Sequence, residues 1–284
     1  MRRLAALAVA AATLAGAAVA VAVGVATRPA ERLVPPGRTL VTSDSAWLAI
    51  KAYGSIDVVR GFPHDLALAS CRRRFTTSCR NYDGSVPTTA YQEVVNHGAG
   101  YTTLVQAAGY DDSDTDFVSD VQRTIEATRS LGYERVVWVT LRANVSYDST
   151  GHVGYAEVYE HNNAAIVEML ATGLYPELVV ADWATYAHDR HEWFAPDGIH
   201  LTRLGAYAAA DYLARKVAFL DARPCPEAVA PGVPVPTVCP DPDVTGPVTD
   251  LRGVYPVERL SPDAGRVLIW EGHGRWPDPP WWLG

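Results

Sequence analysis

The segment Asp197-Gly198-Ile199-His200 places a carboxylate three residues before an imidazole. Within one loop, this spacing lets Asp197 reach Nδ1 of His200, orient the ring and stabilise the imidazolium that forms when the ring takes a proton. An Asp-x-x-His pair is frequent by chance, but this one follows a predicted strand and precedes a predicted helix that opens with residues 201–206. His200 is therefore a candidate general base, with Asp197 as the residue that orients it.

A second chemical candidate is Ser43-Asp44-Ser45, which follows the first predicted strand. A serine at a strand-to-helix turn has its hydroxyl near a helix N-terminus, where backbone N–H groups can hold a developing oxyanion. Ser45 is the candidate nucleophile of this segment. The alternative is that Ser43 or Ser45 only caps the helix, which is a common role for serine at this position.

In chain order, these motifs resemble the SGNH (GDSL-like) hydrolase superfamily, whose first block reads Gly-Asp-Ser and whose last reads Asp-x-x-His. Here Ser43 stands in place of the glycine, and His200 to Gly205 continues the last block as His-Leu-x-x-x-Gly. The family's third block, Gly-x-Asn-Asp, corresponds to Gly109-Tyr110-Asp111-Asp112. The resemblance covers about Thr39 to Leu220. It is nearest to exported actinobacterial SGNH domains, including those attached to membrane O-acyltransferases.

The resemblance implies a carboxylic ester hydrolase that removes an acyl group from a glycan, a lipid or a small ester. Ser45 attacks the ester carbonyl, His200 acts as general base and then as general acid, and Asp197 orients His200. This mechanism uses no metal and no cofactor. Two alternatives stay open: an O-acyltransferase acting on cell-envelope glycan, and a non-catalytic cell-wall-binding protein with a decayed site.

The resemblance also implies an oxyanion hole, which departs from the family pattern at two points. Its implied members are the backbone N–H of Ser45, a backbone N–H near Cys71 or Arg72, and the third block at Gly109 and Asp111. The second-block glycine is not evident, so the donor is placed by strand order. Asp111 replaces an asparagine. An ionised carboxylate there would repel an oxyanion, whereas a protonated one, its pKa raised by burial, could donate.

Other polar clusters allow weaker interpretations. Arg72 either neutralises Asp111 or an acidic substrate group, or it is solvated charge together with the two arginines after it. The segment His188 to His191 suggests a metal site, but its spacing matches no standard motif, so we expect it to line the loop beside the cleft. The sequence contains no Gly-x-Ser-x-Gly, P-loop or His-Glu-x-x-His motif.

The elements that must position these residues alternate between strands and helices. Strands are predicted at Thr39–Thr42, Asp65–Ser70, Tyr101–Ala108, Arg135–Leu141 and Glu177–Asp182, and helices at Ala46–Val59, Pro87–His97, Asp114–Leu131 (capped by Asp114), Tyr155–Ala171 and Thr202–Leu220. This alternation predicts a doubly wound α/β fold, with a mostly parallel five-stranded sheet and helices on both faces, as in the flavodoxin-like SGNH fold. The candidate residues then lie at the carboxyl ends of strands, where such folds bind ligands.

The N-terminal residues and the overall charge restrict the cellular context. Arg2 and Arg3 precede an apolar run over residues 4–27, which predicts a signal peptide or a membrane anchor. The remainder is then secreted or held on the outer face of the cytoplasmic membrane. A net charge of −8 argues against binding to nucleic acid. The oligomeric state is left open.

The cysteines and the chain composition predict the domain organisation. Four cysteines form two close pairs, Cys71 with Cys79 and Cys225 with Cys239. In an exported chain, such pairs are expected to be disulfides rather than free thiols. We predict an export segment (1–28), a linker (29–38), the hydrolase domain (39–223) and an extension rich in proline, glycine and tryptophan (224–284). This extension either packs on the domain or binds sugar through its tryptophans.

Overall fold

A parallel β-sheet forms the centre of the computed structural model, which describes residues 37–53, 63–81, 83–112, 116–145, 156–225 and 236–247. Its strands are β1 (Thr39–Ser43), β2 (His64–Leu68), β3 (Thr103–Gln106), β4 (Arg135–Val139) and β5 (Leu178–Ala181). Every neighbouring pair is parallel, and the strand order is β2-β1-β3-β4-β5. This is the flavodoxin-like order, in which the direction of strand addition reverses between β1 and β3 and leaves a crevice at their carboxyl ends.

Helices cover both faces of the sheet, which confirms the predicted fold class. They are α1 (Ser45–Ala52), α2 (Ala90–His97), α3 (Phe117–Ser130), α4 (Ala156–Ala171), α5 (Trp183–Tyr186), α6 (Arg203–Leu220) and α7 (Pro242–Thr245). One buried cluster joins the sheet to α1 and α6 and contains Trp47 and Tyr207. The other joins it to α3 and α4 through Val121, Ile125 and Ile166, none of which is exposed. Both sheet faces are therefore buried, as strands rich in valine and leucine require.

The element bounds differ from the predictions mainly at helix starts. Helix α2 begins at Ala90 rather than at residue 87 because Thr89 caps it: Thr89 Oγ1 accepts from Gln92 N and the Gln92 side chain accepts from Thr89 N. Asp116 occupies the N-cap position of α3. The predicted cap residue 114 and residues 54–59 of the first predicted helix lie outside the described residues.

Both predicted disulfides are present, Cys71–Cys79 and Cys225–Cys239. Disulfides are typical of proteins that fold in oxidising, extracytoplasmic environments. The export segment 1–28 lies outside the described residues, among which no helix combines the length and apolarity needed to cross a bilayer.

The described part of the C-terminal extension packs on α6. Asp243 accepts hydrogen bonds from Tyr212 Oη and Lys216 Nζ, each at 2.6 Å, and Asp241 forms a second ion pair with Lys216. Lys216 is buried, so these two carboxylates compensate its charge. The tryptophans at residues 276, 281 and 282 lie outside the described residues.

Candidate active site

Ser45 is the first residue of α1, directly after β1. The N-cap is Asp44, whose Oδ1 accepts from Ala46 N at 2.9 Å. Asp44 itself, rather than either serine, therefore provides the cap, and the hydroxyl of Ser45 is left for another partner. The N–H groups of the first turn of a helix have no acceptor within the helix, so the Ser45 amide lies where an anion can be held.

The same carboxylate ties the turn after β1 to the turn after β3. Asp44 Oδ2 accepts from Gly109 N at 2.8 Å and from Tyr110 N at 2.9 Å. Asp44 is completely buried. Burial raises the pKa of Asp44, while its three backbone N–H donors stabilise the ionised form. No role was predicted for Asp44, although its place before a helix is a signal for capping.

Ser45, His200 and Asp197 form a continuous chain of hydrogen bonds. Ser45 Oγ lies 2.9 Å from His200 Nε2, and His200 Nδ1 lies 2.6 Å from Asp197 Oδ2. The other carboxylate oxygen, Asp197 Oδ1, accepts from the backbone N–H groups of Ile199 and His200. With Nδ1 donating to Asp197, the Nε2 atom of a neutral imidazole can accept the proton of Ser45.

Asp197 is held in the ionised form that this arrangement requires. Burial acts to raise the pKa of Asp197, but the hydrogen bond from His200 and the two backbone donors outweigh it. The pKa of Asp197 therefore lies below its ordinary value. An ionised carboxylate next to Nδ1 stabilises the imidazolium that forms during proton transfer.

Arg142, three residues beyond the end of β4, positions the loop that carries the acid and the base. Its Nη1 donates to Gly198 O at 2.9 Å, and the guanidinium stacks over the Phe194 ring at 4.3 Å from its centroid. Gly198 has a φ of +76°, and a Cβ there would approach Asn144 O to 2.6 Å, so a side chain cannot be accommodated. Arg142 was not predicted as a site residue, and its position just beyond a predicted strand was the available signal.

The segment His188 to His191 does not form a metal centre. His188 is exposed and bonds to its neighbour Asp189, and His191 Nδ1 lies 3.3 Å from Arg142 Nη2. Across the described ranges, no group of three histidine, cysteine, aspartate or glutamate side chains could hold a metal ion.

The segment after β2 runs beside the end of β1, because Ala69 N donates to Ser43 O at 3.2 Å. This places the predicted second-block residues, Cys71 and Arg72, one strand away from the Ser45 turn. Cys71 has a φ of +63°, a left-handed conformation that is unusual for a residue other than glycine. The disulfide to Cys79 closes this loop.

The Arg72 side chain is neither solvated charge nor a partner of Asp111. Arg72 is 4% exposed, so it is not solvated charge, and its guanidinium bonds to Glu93 Oε1 and Ala67 O rather than to Asp111. Arg74 is 1% exposed and pairs with Asp112. These arginines are buried because carboxylates and carbonyl oxygens are available to them, which local sequence does not reveal.

The hydrogen bonding of the third block, residues 109–112, differs from the predicted oxyanion hole. The Gly109 N–H already donates to Asp44 Oδ2, so it is not free to bind an oxyanion. Asp111 Oδ2 is enclosed and has no hydrogen-bond partner in the described part of the chain. Burial, with the nearby charges of Asp44 and Asp112, raises the pKa of Asp111 to about 7.

Comparisons with known proteins give only structural similarities at low sequence identity. No protein-family model matches the chain, and no curated protein matches it. Similar solved structures include the C-terminal catalytic domain of peptidoglycan O-acetyltransferase A from Streptococcus pneumoniae (18% identity, 64% of this chain and 92% of that one, TM-score 0.45), an aryl esterase of M. smegmatis (12%, 64% and 98%, 0.44) and a carbohydrate acetylesterase from Sinorhizobium meliloti (12%, 64% and 99%, 0.44). The likeness is one of fold.

Proposed function

We propose that this protein is an SGNH-type serine ester hydrolase with Ser45 as nucleophile. The observation that carries the proposal is the chain of hydrogen bonds from Ser45 Oγ through His200 to Asp197. Serine, histidine and aspartate are 155 and 3 residues apart in sequence, yet they meet in the order that activates a serine. A helix cap alone would need none of these contacts, because Asp44 already caps α1.

The proposed reaction has two steps. In the first, His200 takes the proton of Ser45 Oγ as the oxygen attacks the ester carbonyl, and it then gives that proton to the leaving alcohol. An acyl group is now bound to Ser45. In the second step, His200 deprotonates a water molecule, which attacks the acyl-enzyme and releases the acid. Asp197 remains ionised throughout and stabilises the imidazolium.

The oxyanion in each step is proposed to bind at the carboxyl ends of β1, β2 and β3. The Ser45 amide at the N-terminus of α1 is one donor. A backbone N–H of Cys71 or Arg72, one strand away, is the second. The unusual backbone of Cys71 aims this amide, and the Cys71–Cys79 disulfide holds the loop in place.

The proposed setting is outside the cytoplasm, with an acyl ester of a glycan, a lipid or a small alcohol as substrate. Its support is the predicted export segment in residues 1–28 and the two disulfides. The likeness to exported actinobacterial domains rests on the sequence motifs. An extension from residue 224 whose tryptophans contact the domain or a sugar completes the proposed organisation.

The test is labelling of the full-length protein with a fluorophosphonate probe, which reacts with activated serines. Wild type should be labelled and Ser45→Ala should not, and the rate of ester hydrolysis should fall about 10⁴-fold or more. Ser43→Ala is the matched control. Ser43 is also buried, two residues away, and its hydroxyl donates to Ala107 O rather than to the triad, so its loss should leave labelling intact. Labelling that survives in Ser45→Ala would refute the proposal.

A further inference from the structure

The turn after β3 presents a buried carboxyl group whose chemistry the triad does not use. Asp111 follows Gly109 and Tyr110, whose amides both bind Asp44, the residue before the nucleophile. The same turn brings Asp111 near enough to Asp44 and to the triad's His200 for their charges to affect its pKa. Its Oδ2 is shielded from solvent and lacks a partner in the described part of the chain.

The charged groups around Asp111 come from four segments. Two are carboxylates: Asp44 after β1 and Asp112 in the same turn, which accepts from Arg74 N with both oxygens and lies 3.6 Å from the Arg74 guanidinium. The others are His200, from the loop before α6, and Arg73, from the loop after β2, and both favour the ionised form of Asp111. Neither of them donates a hydrogen bond to the enclosed Oδ2.

This arrangement selects the neutral form of the acid. An ionised carboxylate that is shielded from water and has no donor is unstable, and two nearby carboxylates add repulsion. A neutral carboxylic acid carries an O–H donor that needs an acceptor. An oxyanion developing next to Ser45 is such an acceptor, and it would give the enclosed Oδ2 the partner that it lacks among the described residues.

We propose that Asp111 acts as a neutral carboxylic acid that donates a hydrogen bond to the oxyanion, and that its ionisation switches the esterase off. The inference rests on the proposed function and adds a regulatory property to the same site. Asp111 transfers no proton. Its proton remains on the carboxyl oxygen throughout, so the reaction consumes only ester and water. The active form then contains a neutral Asp111 and a neutral His200.

The consequence is a descending alkaline limb in the pH–rate profile. The pKa of Asp111 is raised to about 7, first by burial and then by Asp44 and Asp112. Above that pH, the proton-bearing fraction falls tenfold per pH unit, and kcat/KM for a small neutral ester should fall with it. At pH 9 we expect the wild type to have lost about 100-fold, the loss typical for one oxyanion donor.

The experiment compares wild type with Asp111→Asn and Asp111→Ala from pH 5 to pH 10, with the full-length protein and a small aryl ester. An asparagine amide donates at every pH, so Asp111→Asn should keep its kcat/KM to pH 9 or above. Alanine cannot donate, so Asp111→Ala should be about 100-fold slower at pH 6 and should lack the alkaline limb. Asp116→Asn is the control, because Asp116 is exposed and makes no capping hydrogen bond.

An alkaline limb that persists unchanged in Asp111→Asn would overturn the inference, and so would wild-type activity in Asp111→Ala at pH 6. Near-ultraviolet circular dichroism of each variant separates a chemical effect from unfolding. The two proposals fail differently. If Ser45→Ala retains hydrolysis, the esterase proposal itself is wrong. If Ser45→Ala is inactive but both Asp111 variants follow the wild-type profile, only the role of Asp111 is wrong.

Discussion

The turns after β1 and after β3 carry Asp44 and Asp111, and these two carboxyl groups have opposite surroundings. Asp44 receives hydrogen bonds from the backbone N–H groups of Ala46, Gly109 and Tyr110. Asp111, one residue beyond the last of these donors, has an enclosed oxygen with no donor in the described part of the chain. The amides of Gly109 and Tyr110 thus donate to Asp44, and neither of them donates to Asp111 in the same turn.

The difference shows that the supply of donors, rather than residue type alone, determines which contacts a carboxyl group makes. Burial raises the pKa of both groups. At Asp44, three N–H dipoles favour the charge, and the group serves as a structural tie between two strands. Asp111 is less completely buried, but no donor reaches its enclosed Oδ2 in the described part of the chain, and the group becomes a proton-dependent element of the site.

Of the substitutions that test this comparison, Asp44→Asn should cause the largest change in the free energy of unfolding. A carboxamide has one oxygen, but N–H donors approach both oxygens of Asp44, so the new NH2 group must face an N–H. Leaving one or two buried donors unsatisfied lowers the free energy of unfolding by about 2–5 kcal/mol. Urea denaturation measures this change, and Asp116→Asn is the matched control. Equal stability of the two variants would show that the tie is not needed.

Asp111→Asn, the same substitution in the turn after β3, should raise the free energy of unfolding at high pH, whereas Asp44→Asn lowers it. Because the pKa of Asp111 is raised from 3.8 to about 7 in the fold, the stability linked to its proton is fully present below about pH 4 and is lost as pH rises through 7. Asp111→Asn avoids that loss. We expect it to be more stable than wild type by on the order of 1–3 kcal/mol at pH 8 and equal at pH 4. A stability difference independent of pH would contradict this.

The smallest change should come from removing the hydrogen bond between Tyr110, after β3, and Arg142, after β4. Tyr110 Oη accepts from Arg142 N at 2.7 Å, so Tyr110→Phe leaves that amide without its acceptor. We expect the free energy of unfolding to fall by about 1 kcal/mol and the hydrolysis rate to change by less than tenfold. Tyr175→Phe is the control, since its hydroxyl accepts from the side chain of Gln122 rather than from a buried amide. A loss of 3 kcal/mol or more would mean that Arg142 moves as well.

The strands and long helices could be predicted because each carries its own periodicity. The runs at β1, β3 and β4 are short and apolar, as buried parallel strands require, and α6 follows a threonine cap. The short helices α5 and α7 were missed, because four residues carry too little pattern. The start of α2 was also misplaced, because it is set by the capping box of Thr89 and Gln92 and not by a periodic pattern.

Sequence alone determined which residue types stand at the ends of which strands, and so named Ser45, Asp197, His200 and Asp111 as candidates. It also determined the cysteine pairs, which are close in the chain. Only the tertiary structure decided the roles that depend on distant partners. Asp44 and Gly109 are 65 residues apart, and Arg142 and Gly198 are 56 apart. The charge of a buried group depends on such donors, and local sequence does not contain them.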